Sequence, residues 1–247
     1  MRVVQLWAVL CCSVLFCADN LATGCRYGYG TGMSDSKSNN PKTNNGDFEA
    51  ADVSAERLDR LADFFNEVGM LRHTPRTGYA FLGTGQENVA EHSYRVSVMG
   101  YVLARMCNMD PARVTYLCLF HDLHEARTGD LNYVNHRYAQ CQARKALEDC
   151  VQGTGLEQDV LPLWDELEEE SSRESLLAHD ADQLDLICNL KAELDKGNAF
   201  AEQWLESAVK RLRSPAAQQV AEAVLRADHN RWWYGQVERE WWVRRGR

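Results

Sequence analysis

The chain has 247 residues, 45% of them apolar and 26% charged, enough for a packed core beneath an ordinary globular surface. Its net charge of −9 argues against a dedicated nucleic-acid binder, which needs a basic face to displace phosphate counterions. A small phosphorylated ligand stays open, because a few local cations or a metal hold one phosphate.

At the start of the chain, Arg2 and the apolar run from Val3 to Cys17 have the outline of a secretory signal, although Phe16 and Asp19 make a poor cleavage point around Ala18. The run falls short of the roughly 20 residues of a stable membrane span. The alternative is translation from Met33, which opens a Ser-, Asn- and Lys-rich leader reaching Asp47. The second reading is preferred. Residues 1–49 are then a leader and residues 50–247 a single helical domain. The nine cysteines include no CxxC pair and form no even framework, so they read as reduced thiols in a cytoplasmic protein.

From Val53 onward the periodicity is helical and strand-like alternation is missing. Ser54 is a candidate N-cap, followed by Leu58, Leu61, Phe65 and Val68 on one stripe up to Gly69. Pro75 to Gly85 reads as a loop. A second helix begins near Glu91, with His92, Val96, Met99, Leu103 and Met106 on its apolar stripe. Asp110-Pro111 opens a third, whose inner face carries Val114, Leu117, Cys118, His121 and Glu125 before Thr128-Gly129-Asp130 ends it. Further helices are expected over about 137–151, 156–168, 174–194, 199–212 and 215–227. A last one, near 229–243, carries Trp233, Val237 and Trp241 at spacing four, a stripe suited to core packing or a homodimer contact.

The informative feature is a set of ionisable residues where a core should be. His92 and His121 sit on apolar stripes, Asp122 adjoins His121, and Asp180 and Asp182 lie among small and apolar neighbours. Buried charges need each other or a metal. Two imidazoles with two carboxylates form a borderline N/O set suited to one divalent Mn, Fe, Co, Ni or Zn ion rather than to calcium. Singly, each residue has a bland reading as a core histidine or a surface acid; the joint arrangement carries the case.

Four blocks resemble the HD-domain metal phosphohydrolases, and within them the 5'-deoxynucleotidase branch. These are Glu87-Asn88-Val89-Ala90-Glu91-His92-Ser93, His121-Asp122-Leu123-His124-Glu125, Thr128-Gly129-Asp130, and Asp180-Ala181-Asp182 with Leu184. The resemblance implies an all-α, HD-domain-like helical bundle with one divalent metal on His92, His121, Asp122 and Asp182. The Ala-Asp-x-Leu frame favours Asp182 over Asp180. It further implies catalytic roles at Glu125, as general acid/base, and Asp122. Phosphate contact falls to Arg76 and sugar contact to Asp130. Deoxynucleotidases of this branch carry a tryptophan near the arginine; here the nearest candidate is Tyr79, grouped with the substrate-binding residues. Asp130 is followed by Leu131-Asn132-Tyr133 rather than by a proline-rich stretch.

The implied function is phosphate release from (deoxy)nucleoside 5'-monophosphates. Two alternatives are hydrolysis of a nucleoside triphosphate or another small phosphate ester, and a non-catalytic, metal-stabilised helical binding module. The second leaves Glu125 and Arg76 without a task. Extended nucleic acid is not an expected partner.

Overall fold

The computed structural model describes residues 52–235 together with 243 and 244, and the leader therefore lies outside the described residues. Among the described residues the fold is all-α, with ten helices and one isolated antiparallel bridge between Pro75 and Asn88. The helices are α1 (Ala55–Met70), α2 (Tyr79–Leu82), α3 (Val89–Cys107), α4 (Pro111–Phe120) and α5 (Glu125–Thr128). They continue as α6 (Ala143–Val151), α7 (Glu157–Glu168), α8 (Arg173–Asp195), α9 (Ala201–Lys210) and α10 (Pro215–Arg226). None of them is long and apolar enough to cross a membrane.

Local chemistry fixes where the helices begin. Asn88 and Glu91 form a reciprocal capping box at the start of α3, and Ser172 and Ser175 do the same for α8. Asp110 accepts from the amides of Ala112 (2.9 Å) and Arg113 (3.3 Å), with Pro111 at the first position of α4. Each cap satisfies amides that a first helical turn leaves orphaned.

Two apolar clusters hold the bundle. The larger surrounds α8 and joins Val96 and Leu103 of α3, Val114 and Leu117 of α4, and Leu205 of α9 to Leu184, Ile187 and Leu190. Gly100 lets α3 and α4 approach closely: a β-carbon there would stand 2.5 Å from Cys118 Sγ and 3.1 Å from Val114 Cγ1. The smaller cluster packs Phe64, Val89, Leu123, Leu147 and Val160 together. The two clusters meet along the N-terminal half of α3, where Val89 belongs to one and Val96 to the other, and His92 lies between them.

Several elements differ from the pattern read in the sequence. On α1 the buried aromatic is Phe64, whereas Phe65 is 66% exposed and Leu58 is exposed too. Two arginines of α1 reach across to the segment after α6: Arg57 Nε donates to the Thr154 carbonyl (2.7 Å) and Arg60 Nε to the Gln152 carbonyl (2.9 Å). These cations satisfy carbonyls beyond the end of α6, where a helix leaves acceptors bare. The helix expected from about 137 starts only at Ala143, after a short 3-10 turn at Asn135–Arg137. Met106 lies on the exposed side of α3. Residues 229–235 form turns rather than a final helix, and Trp232 and Trp233 are exposed instead of packed in the core. Val237 and Trp241 lie outside the described residues, and with them the expected dimer stripe.

Candidate metal centre

Two helices and the turn that follows a third supply the ionic cluster. His92, on the first full turn of α3, is 1% exposed. His121 follows the last residue of α4, where the sequence pattern had suggested an unbroken helix through Glu125. Instead α4 stops at Phe120, a turn spans residues 121–124, and α5 starts at Glu125 with its amide bonded to the Asp122 carbonyl (3.0 Å). The break brings His121, Asp122 and Glu125 together within one tight bend. Asp182 arrives from the middle of α8.

His92 Nε2 is the hub. It lies 3.2 Å from His121 Nε2, 3.2 Å from Asp182 Oδ1 and 3.5 Å from Asp122 Oδ2; His121 Nε2 is 3.1 Å from the same Asp122 oxygen. Ligand atoms of His92, His121 and Asp182 all fall within 4.8 Å of one another. A cation bonded at about 2.0–2.2 Å to nitrogen and oxygen holds neighbouring donors roughly 3 Å apart, so these spacings suit one divalent ion.

The ring orientations fit as well. His92 Nδ1 is 2.8 Å from Asp185 Oδ2, and His121 Nδ1 is 2.7 Å from the Cys118 carbonyl. With each Nδ1–H donating to its oxygen partner, each Nε2 presents a bare lone pair to the same point. Two neutral imidazoles and two carboxylates are a donor set for a borderline transition ion.

Asp185 was not among the residues singled out in the sequence. It is sealed on α8, one turn beyond Asp182, and held by Arg95 Nη2 (2.5 Å) and Asn189 Nδ2 (3.3 Å). Asn189 also donates to Glu87 (2.9 Å). The available signal was helical spacing: an acid three residues past Asp182 on one face, and Arg95 three residues past His92.

The electrostatics of the protein alone are polarised. Burial disfavours charge on Asp122 and Asp182, yet His92, His121 and Arg76 hold both well below the usual carboxylate range. Burial also works against the His92 imidazolium, but hydrogen bonds to Asp182 and Asp185 raise it to about 10. Glu125 goes the other way. Burial, with Asp122 and Asp130 nearby, pushes it up to about 9, and its Oε2 is buried with no hydrogen-bond partner.

Arg76 is anchored by its own backbone, whose amide donates to the Glu87 carbonyl (2.9 Å) beside the Pro75–Asn88 bridge. Its Nη1 reaches Asp122 Oδ2 and Asp130 Oδ1, each at 3.2 Å. Asp130 Oδ2 accepts from the Thr77 amide (2.6 Å) and hydroxyl (2.8 Å), so this acid is largely committed to its own loop. Tyr79 lines a cavity of about 270 Å³ together with Arg76, Glu125, Asp130 and Trp204. Burial, then the Glu87 and Asp185 carboxylates, raise its hydroxyl well above the ordinary phenol range.

A family model described as HD domain matches residues 68–224, a span containing every member of this cluster. The chain belongs to the HD domain family. Within that family it is 32% identical over 136 residues to the 5'-deoxynucleotidase HDDC2 of Danio rerio, covering 53% of this chain and 68% of that protein. It is also 32% identical over 148 residues to the 5'-deoxynucleotidase YfbR of Escherichia coli, covering 52% of this chain and 73% of the other. Among solved structures, a conserved hypothetical protein from Pyrococcus furiosus is similar to this chain in fold, at 27% identity. Its TM-score is 0.57, over 67% of this chain and 99% of that one.

Proposed function

We propose that the protein is a metal-dependent phosphomonoesterase that releases phosphate from nucleoside 5'-monophosphates, with His92, His121, Asp122 and Asp182 holding one divalent ion. The similarity to 5'-deoxynucleotidases supports the substrate class. The observation that carries the reading is the company the cluster keeps. Arg76, a ready phosphate clamp, lies 3.2 Å from Asp122, and Glu125, with an unpartnered carboxylate oxygen, lines the same cavity.

When bound, the cation supplies Lewis acidity and neutralises phosphate charge. Arg76 binds two phosphate oxygens, giving up its contacts with Asp122 and Asp130 in part. Glu125 Oε2 takes the proton of the attacking water as the new P–O bond forms. It then passes that proton to the ester oxygen as the old P–O bond breaks. The environment that raises this carboxyl makes it a strong proton acceptor once ionised and a competent donor afterwards. Asp185, through His92 Nδ1, keeps the ring aimed. We place the enzyme in the cytoplasm, in keeping with free thiols at all five described cysteines.

The test is a phosphate-release screen of deoxy- and ribonucleoside monophosphates on chelator-treated protein resupplied with Mn, Co, Ni, Fe or Zn. Release that depends on the added ion is expected. Release in the presence of excess chelator, or from triphosphates alone, overturns the assignment.

A further inference from the structure

We infer that Glu193, a buried carboxylate about three turns beyond Asp182 on α8, is a positioning residue that fastens residues 78–85 in place as one wall of the cavity beginning at Arg76. The inference rests on the phosphomonoesterase reading and adds what closes the site around the half of the substrate that is not phosphate.

Residues 76–88 form an excursion between α1 and α3 that contains α2. Backbone bonds fix its base: the Arg76 amide donates to the Glu87 carbonyl (2.9 Å) and the Val89 amide to the Thr74 carbonyl (3.0 Å). Arg76 therefore keeps its place whatever the rest of the excursion does. Further out, Gly78, Tyr79 and Leu82 line the cavity. Leu82 is buried and Tyr79 packs beside it, but the tip at Gly83, Thr84 and Gly85 is exposed and brings no apolar side chain to hold it down. A wall anchored at its base and bare at its tip needs a polar fastening.

Glu193 supplies it. The residue is 4% exposed, and its Oε2 accepts from the Thr84 hydroxyl at 2.6 Å. The same hydroxyl accepts from Asn198 Nδ2 (2.6 Å), which also donates to the Leu82 carbonyl (2.9 Å). Asn198 is tied back in turn, its amide donating to the Glu193 carbonyl (3.0 Å). Lys196 Nζ occupies Glu193 Oε1 (2.8 Å), and the bonds from Lys196 and Thr84 hold the carboxyl below its usual range. Thr84 thus donates to an ionised oxygen, the stronger kind of hydrogen bond. Gly85 shows how closely the tip is drawn in. Its φ is +79°, and a β-carbon there would stand 2.8 Å from Tyr79 Cε1 and 2.9 Å from Glu193 Oε1, a position only glycine fills without displacing either. Freeing the tip would loosen the wall that carries Tyr79 and leave the phosphate clamp at the base intact.

The experiment compares metal-loaded wild type with Glu193→Gln, Thr84→Val and Thr84→Ser; the exposed threonine can be changed without touching the core. Thr84→Val keeps the shape and removes the hydroxyl. Its KM for thymidine 5'-monophosphate should rise about 3- to 30-fold with kcat little changed, and Thr84→Ser should stay at the wild-type value. Glu193→Gln, which keeps a neutral acceptor, should fall between them. Inorganic phosphate, held by the clamp and not by the wall, should inhibit wild type and Thr84→Val with the same constant, a split that a general loss of folding would not produce. Calorimetric titration of thymidine reads the wall without turnover, and its affinity should drop in Thr84→Val by the same factor as KM rises. Equal losses for nucleotide and inorganic phosphate, or thymidine binding that is absent or indifferent to Thr84→Val, overturn the inference. Failure of every ester to release phosphate would instead overturn the functional proposal beneath it, and the thymidine titration would still decide for or against the wall.

Discussion

Two aspartates separated by a single residue on α8 resolve the same physical problem in opposite ways. Asp180 is 1% exposed and accepts from the backbone amides of Arg213 and Ser214, each at 2.8 Å, tying α8 to the turn between α9 and α10. The Asp182 side chain is 28% exposed toward the cleft and faces an imidazole nitrogen at 3.2 Å. A carboxylate satisfied by amides belongs to the fold and has no spare valence. Asp182, whose Oδ2 accepts from Gln183 (2.9 Å), keeps Oδ1 turned to an imidazole nitrogen that itself binds metals, in readiness for a cation.

That contrast can be broken by substitution. The largest effect belongs to the cleft. Asp182→Ala should lose cation retention and turnover while keeping its melting transition, as followed by metal analysis and circular dichroism. Glu125→Ala should keep the ion and lose about 10²–10⁴-fold in kcat. Normal turnover in either variant would mean the cleft is not the reaction site.

Asp180→Ala should do the reverse. Removing a buried carboxylate that accepts from two part-buried amides should cost about 1–3 kcal/mol of stability, read by denaturant unfolding, with metal affinity retained. Loss of metal without loss of stability would show that the two acids had been assigned the wrong way round.

Smaller again is Asp185→Asn. With the charge behind His92 removed, metal affinity should fall about 10- to 100-fold in competition with a chelating dye, with little change in the melt. The smallest effect is a gain. Glu125 shifts from the usual 4.5 to about 9, so the folded state of the chelated protein binds the extra proton. Stability should therefore fall as pH climbs through that window. Glu125→Gln should raise the melting temperature of chelated protein at pH 9, by roughly 2–4 °C for each kcal/mol gained, and leave it unchanged at pH 4. A gain at pH 4 would mean that packing, not ionisation, is responsible.

The sequence showed the helical class and the members of the cleft because both leave local traces. Caps such as Asp110-Pro111 mark helix starts, and histidines on apolar stripes are chemically out of place. Three features left no such trace. The bend after Phe120 is invisible to periodicity, because His121 and Glu125 fall on one face of an ideal helix as readily as they meet across a turn. Arg57 and Arg60 of α1 look like idle surface charge until the carbonyls beyond α6 are folded beside them. Glu193 and Asp185 are ordinary helix residues whose meaning comes only from what packs opposite.

The double tether on His92 has a mechanical consequence. One ring nitrogen faces Asp182 and the other Asp185, so a single side chain of α3 is gripped at two successive points along α8. Sliding either helix by one residue would release both grips at once. Loading the ion should thus lock the register of two long rods rather than stiffen a loop, and slowed amide hydrogen exchange should run lengthwise through α3 and α8.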